Sequence, residues 1–162
     1  MSGRWHAIAV ILVAMALAAG CEAGNDDDNG SGDAIPECVE YTLDGCAPLY
    51  PASYDQVWTQ TLDSGCAEFG TACHAQADAA GATRGLTFVD PQQTYDHLTM
   101  TSMTSELGPL VVPGDPLCSP LFVRLATDDA AIRMPPGGTG LSAGALCSIG
   151  TWIADGASYQ PP

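Results

Sequence analysis

The chain has 162 residues, with 19 acidic side chains against 4 basic ones and a formal net charge of −15. The basic residues are all arginine (Arg4, Arg84, Arg124, Arg133), so no lysine is present for Schiff-base chemistry. A charge of this sign and size argues against nucleic acid or anionic lipid as partners and suits either solubility or a basic protein partner.

The N-terminus reads as a targeting segment. Arg4 and the α-amino group supply positive charge, and Ala7 to Ala18 is an unbroken apolar run ending in small residues. The run is too short to span a bilayer and has no charged stop-transfer flank, which predicts a cleavable signal peptide over residues 1–20. The stretch Leu17-Ala18-Ala19-Gly20-Cys21 resembles the bacterial lipobox, with Ala18 where leucine is commoner. That resemblance implies cleavage before Cys21 and diacylation of its sulfur. Two acyl chains hold a protein stably on a membrane, so the expected location is the cell envelope, lipid-anchored at the periplasmic or surface face of the outer membrane. Residues 21–36 are Gly, Asn and Asp with little to bury, and read as a flexible acidic tether. Asp26-Asp27-Asp28 is better explained as part of that solvated tether than as a calcium site. Residues 37–162 are one domain's worth of chain.

There are seven cysteines: Cys21, Cys38, Cys46, Cys66, Cys73, Cys118 and Cys147. Lipidation of Cys21 leaves six, an even number in an oxidising compartment. Cys38 and Cys46 bracket a turn-rich segment with Asp44-Gly45 at its tip, so a local 38–46 bridge is the simplest pairing.

Local signals then predict about four short helices joined by long loops. Ser53-Tyr54-Asp55-Gln56 has a capping-box pattern and opens a helix from Tyr54 to about Leu62, ended by Asp63-Ser64-Gly65. Gly85 to Phe88 is a short extended piece. Asp90-Pro91 starts a helix that carries Tyr95 and Leu98 inward and ends near Met100. Ser119-Pro120 is a second such start, with Leu121, Phe122 and Leu125 following. Asp128 to Gly140 holds too much proline and glycine for helix or strand. Leu141-Ser142 opens the last helix, from about Ala143 to Asp155, with Leu146, Ile149 and Ile153 as its stripe and Gly156 after its end. Trp58 and Trp152 are expected in the core, and His97 on a solvated helix face.

Two elements carry chemistry. One is Cys66 with Cys73-His74; the other is Met134 in the loop Arg133-Met134-Pro135-Pro136-Gly137-Gly138. A cysteine followed at once by histidine is the haem c attachment pattern, in which thiols add to porphyrin vinyl groups and histidine ligates iron. A methionine thioether in a rigid loop suits the second axial position and raises the reduction potential. The segments LDSGCAEFGTACH, GLTFVD, VVPGDPLCSPLFVRL, IRMPPGG and LSAGALCSIGTWIADGA, in this order, resemble the cytochrome c-like domain of planctomycete and myxobacterial surface proteins. The resemblance runs from about Tyr50 to Ala157. It implies a mostly α, disulfide-stapled cytochrome c-like domain. His74 would be the proximal and Met134 the distal iron ligand, Cys73 a thioether site, haem c the cofactor, and electron transfer with a redox protein partner the function. Met100 and Met103 rank below Met134 as ligands because they lie outside the rigid loop.

The family spacer between the two cysteines is two residues; here it is six, Ala67 to Ala72. Cys66 could loop back to the second vinyl group, leaving 38–46 and 118–147 as disulfides. Equally, a 66–73 disulfide would give a haem-free, cytochrome-like domain with a binding or envelope-structural role. A zinc site from Cys66, Cys73 and His74 lacks an obvious fourth ligand. No nucleophile triad, phosphate-binding glycine loop or paired-carboxylate motif points to an enzyme.

Overall fold

The computed structural model describes residues 38–67, 73–82, 86–99 and 108–162. The expected signal peptide, Cys21 and the expected tether lie outside these residues, as do Met100 and Met103. The domain is mostly α and disulfide-stapled, with four α-helices and no strand among the described residues. Helix α1 is Tyr54–Val57 and runs directly into a π-helix, Trp58–Cys66. Helix α2 is Pro91–Thr99, α3 is Pro120–Ala126 and α4 is Ala143–Ala154. A single 3-10 turn, Ala80–Ala82, lies between the π-helix and α2.

The first helix departs from expectation at both ends. Ser53 makes no side-chain capping bond; its hydroxyl donates to the Asp55 carboxylate instead. Asp63-Ser64-Gly65 does not end the helix. The chain widens to i→i+5 bonding, with the Ala67 amide on the Leu62 carbonyl at 3.0 Å, and continues to Cys66. Asp90 does cap α2, accepting from the Gln93 amide at 2.8 Å. Ser119 precedes Pro120 as read, but its hydroxyl accepts from the Val112 amide and donates to the Asp115 carbonyl, pinning the preceding loop. Ser142 caps α4 through the Ala145 amide.

The core gathers Tyr54, Leu62, Leu98, Phe122, Ile149, Trp152 and Ile153, with Trp58 at its edge. Each large apolar side chain sealed here contributes roughly 1.5–3 kcal/mol. Tyr54 sits between the rings of Trp152, Tyr95 and Tyr159 at centroid distances of 5.6, 5.1 and 5.4 Å. Its hydroxyl donates to the Pro91 carbonyl and joins α1 to the start of α2. His97 is not solvated as expected: it is half-buried, and its Nδ1 is shielded without a hydrogen-bond partner among the described residues.

The disulfide pairing corrects the local expectation. Cys38 bonds Cys118 and Cys46 bonds Cys147; neither a 38–46 nor a 118–147 bridge forms. The Asp44-Gly45 turn exists, with Gly45 at φ +70° and the Cys46 amide on the Leu43 carbonyl. It does not fold the segment back on itself. Residues 38–50 instead run as a strap across α3 and α4. The Val39 amide donates to the Leu117 carbonyl and the Leu49 amide to the Gly144 carbonyl, each at 2.9 Å. The Tyr50 main chain is held at both its groups by the Ser148 hydroxyl. Gly150 permits this approach, since a Cβ there would stand 2.6 Å from Leu43. The strap covers a second face of α4, which is why residues 145–150 are buried without interruption rather than only along the Leu146, Ile149, Ile153 stripe.

Candidate functional site

Cys73 and His74 open a turn directly after the undescribed spacer. The His74 amide donates to the Cys66 carbonyl at 3.2 Å, and the Phe88 amide donates to the His74 carbonyl at 2.8 Å. Gly81 backs this turn so closely that a Cβ would lie 2.7 Å from the Cys73 carbonyl oxygen. The imidazole stacks near Phe88, with ring centroids 4.7 Å apart. Its Nδ1 lies 2.8 Å from the Leu86 carbonyl. A carbonyl only accepts, so Nδ1 carries the proton and Nε2 keeps the lone pair that a metal would use. Burial holds the His74 pKa below its ordinary value. The Leu86 bond works against that shift, and the nearby Arg124 charge works with it.

Met134 is half-buried and packs against the core. Its amide donates to the Arg124 carbonyl at 2.8 Å, while Arg124 Nη1 donates to the Ile132 carbonyl at 3.2 Å. Arg133 Nη2 donates to the Gly138 carbonyl at 2.9 Å. Helix α3 thus seats the loop from one side and Arg133 closes it from within. The Met134-Pro135 peptide is cis. Arg133 Nε is a buried donor with no hydrogen-bond partner among the described residues.

Cys66 ends the π-helix as a free thiol, so the 66–73 bridge of the haem-free alternative is not formed. Burial pushes its pKa up to about 11. Cys73 is buried and disulfide-bonded, and Cys66 is not its partner. Cys66 lines a cavity of about 320 Å³ together with Tyr50, Thr61, Pro135, Leu141 and Ala145. The Tyr50 and Thr61 hydroxyls pair at 2.5 Å, and burial of Tyr50 pushes its pKa up.

Cys66 thus meets the Cys73-His74 turn through its carbonyl and shares a cavity with Pro135 of the Met134 loop, while neither His74 nor Met134 lines that cavity. Cys38, Cys46, Cys118 and Cys147 serve the strap, away from this cavity lining. Cys21 lies outside the described residues. Among those residues no group of three His, Cys, Asp or Glu side chains could hold a metal ion, so the zinc reading gains no fourth ligand. No described helix is long and apolar enough to cross a membrane. Sequence reasoning gave no role to Leu86, Arg124 or Gly81. Leu86 acts through a backbone carbonyl, which leaves no side-chain signal. The one hint at Arg124 was its place among so few basic residues.

No family model matches this chain, and no curated protein or solved structure matches it either.

Proposed function

We propose that this is a membrane-tethered electron carrier that holds a c-type haem between His74 and Met134. The observation that carries the reading is the His74 ring: its Nδ1 is tied to the Leu86 carbonyl, which leaves Nε2 with the lone pair a metal would use, and the His74 amide is held by the Cys66 carbonyl.

The donor set fits the group. His74 supplies a neutral imidazole and Met134 a soft thioether, a pair that favours the reduced iron. Haem bound there would supply a reversible one-electron couple. The chain's own residues do the rest. Leu86 fixes the imidazole tautomer. Arg124 anchors the loop bearing Met134, and its fixed charge near His74 disfavours gain of further positive charge at that place. Arg133 Nε is a spare donor for a carboxylate, of which haem carries two. The lipobox-like Leu17 to Cys21 stretch supports anchoring by a diacylated Cys21, and residues 22–36 would let an acidic domain swing toward a basic redox partner.

A second reading is favoured by two observations. The cavity beside Cys66, about 320 Å³, is at the low end for ligand pockets, and neither His74 nor Met134 lines it. In that reading the same fold is a haem-free, disulfide-stapled envelope domain. Export of the full chain in a host with haem c maturation separates the two. A haem-stained band that survives denaturation in the wild type, with axial ligation altered in His74→Ala, supports the carrier. Colourless, folded protein from the same host supports the haem-free domain.

A further inference from the structure

We propose that the cavity beside Cys66 is a binding site for a small, neutral, largely apolar molecule that carries one hydrogen-bond acceptor, such as a ketone oxygen. The site is separate from the iron ligands of the carrier reading, since neither His74 nor Met134 lines it, and the proposal does not rest on that reading.

The cavity forms where three parts of the fold meet. The strap brings Leu49 and Tyr50, the π-helix brings Thr61 and Cys66, and the Pro135 loop leads on to Leu141 and Ala145 at the start of α4. Its volume of about 320 Å³ suits a single-ring compound rather than a large cofactor. Leu49 is 67 % exposed and Gln60 is exposed as well, so the lining reaches solvent and a ligand has a way in.

Charge excludes ions. Among the described residues no acidic or basic side chain lines the cavity. An anion would meet no compensating cation there, in a chain of net charge −15, and a cation would meet no carboxylate. The two ionisable groups in the lining, Tyr50 and Cys66, are kept protonated by burial.

The acceptor requirement comes from one pair of hydroxyls. Tyr50 and Thr61 are both buried, and their oxygens lie 2.5 Å apart. The pair owns two hydroxyl hydrogens. One is shared between the two oxygens, whichever donates, and the other has no acceptor among the described residues. A helical threonine often gives its hydroxyl to the carbonyl four residues back, as Thr59 does to Asp55 and Thr99 to Tyr95; Thr61 does not. Buried donors are costly to leave unmade, so a leftover donor in a cavity lining selects a ligand that brings an oxygen to it.

An NMR titration of the purified mature protein with acetophenone, cumene and benzoate tests this. The three probes share one ring, and acetophenone alone adds a neutral acceptor. Acetophenone should shift the Thr61, Cys66 and Ala145 amides saturably, cumene should bind about tenfold more weakly, and benzoate should not bind. Tyr50→Phe with Thr61→Val removes both hydroxyls at nearly constant shape. That double variant should bring acetophenone down to the affinity of cumene and leave cumene unchanged. No saturable shift, shifts centred on other residues, equal affinity for cumene, or benzoate binding as tightly would each overturn the proposal, as would a double variant that keeps the ketone preference. Should the double variant fail to fold, the wild-type ranking of the three probes decides by itself. None of these outcomes bears on the carrier reading, whose test is the haem band.

Discussion

The backbone amide of His74 donates to the carbonyl of Cys66 at 3.2 Å, although the two residues are eight apart in the chain. This contact keeps an imidazole and a thiol in one neighbourhood across a spacer that would otherwise part them. Its partner on the far side is Gly81, whose missing Cβ leaves room for the Cys73 carbonyl. Gly81→Ala should therefore force the Cys73-His74 turn outward. A cost of about 1–3 kcal/mol is expected from overpacking against backbone that cannot rotate aside. Urea unfolding measures it, and faster amide exchange at His74 should accompany it. An unchanged midpoint would show that the turn yields freely.

The strap makes a second expectation. Bridges 38–118 and 46–147 close loops with sequence separations of 80 and 101. On the chain-entropy view either one alone contributes about 4–5 kcal/mol. Cys38→Ser with Cys118→Ser should lower Tm strongly. Removing the second bridge as well should cost less if the first already opened the strap. Non-reducing peptide maps should show 38–118 and 46–147, and no 38–46 peptide.

How far the sequence made this legible depends on which interaction decides each feature. Helices α2 and α4 were readable because Asp90 and Ser142 cap them locally and their apolar residues repeat at helical spacing. The extension of α1 into a π-helix was not, since Gly65 and Asp63 tolerate the wider turn that tertiary packing of Trp58 and Leu62 favours. The disulfide pairing was not legible either. It follows from the path of residues 38–50 over α3 and α4, and that path is set by long-range backbone bonds such as Val39 to Leu117. At the site, Cys73-His74 and Met134 announced themselves through side-chain chemistry. The Leu86 carbonyl could not, because every residue has one.

Cys66 offers a direct check of burial. Its pKa is pushed up to about 11, so little thiolate exists in the native domain near pH 8. Alkylation of the haem-free protein should be on the order of 100-fold slower than in denaturant, where the thiol returns to about 8.5. The native rate should rise through pH 9 to 11 until it reaches that thiol's range. Equal rates with and without denaturant would place Cys66 in open solvent.

His74 sets an acid-side dependence in the haem-free domain. Its folded pKa is lowered by burial from the ordinary 6.5. The unfolded chain therefore takes up the proton first as pH falls. The stability owed to the neutral ring is fully present above the unfolded value and is lost as pH falls through the folded one. Subtracting His74→Gln from the wild type isolates this from the many carboxylates. The wild type should lose more stability than the variant between about pH 7.5 and pH 5. Parallel curves would mean that the ring is exposed.

The most direct measurement is an optical redox titration of the purified mature protein from a haem c-competent host. A Soret band that shifts reversibly in a one-electron step, with the thioether-to-iron band lost in Met134→Ala, is the expected result. A folded protein with no Soret absorption would contradict the electron-carrier proposal.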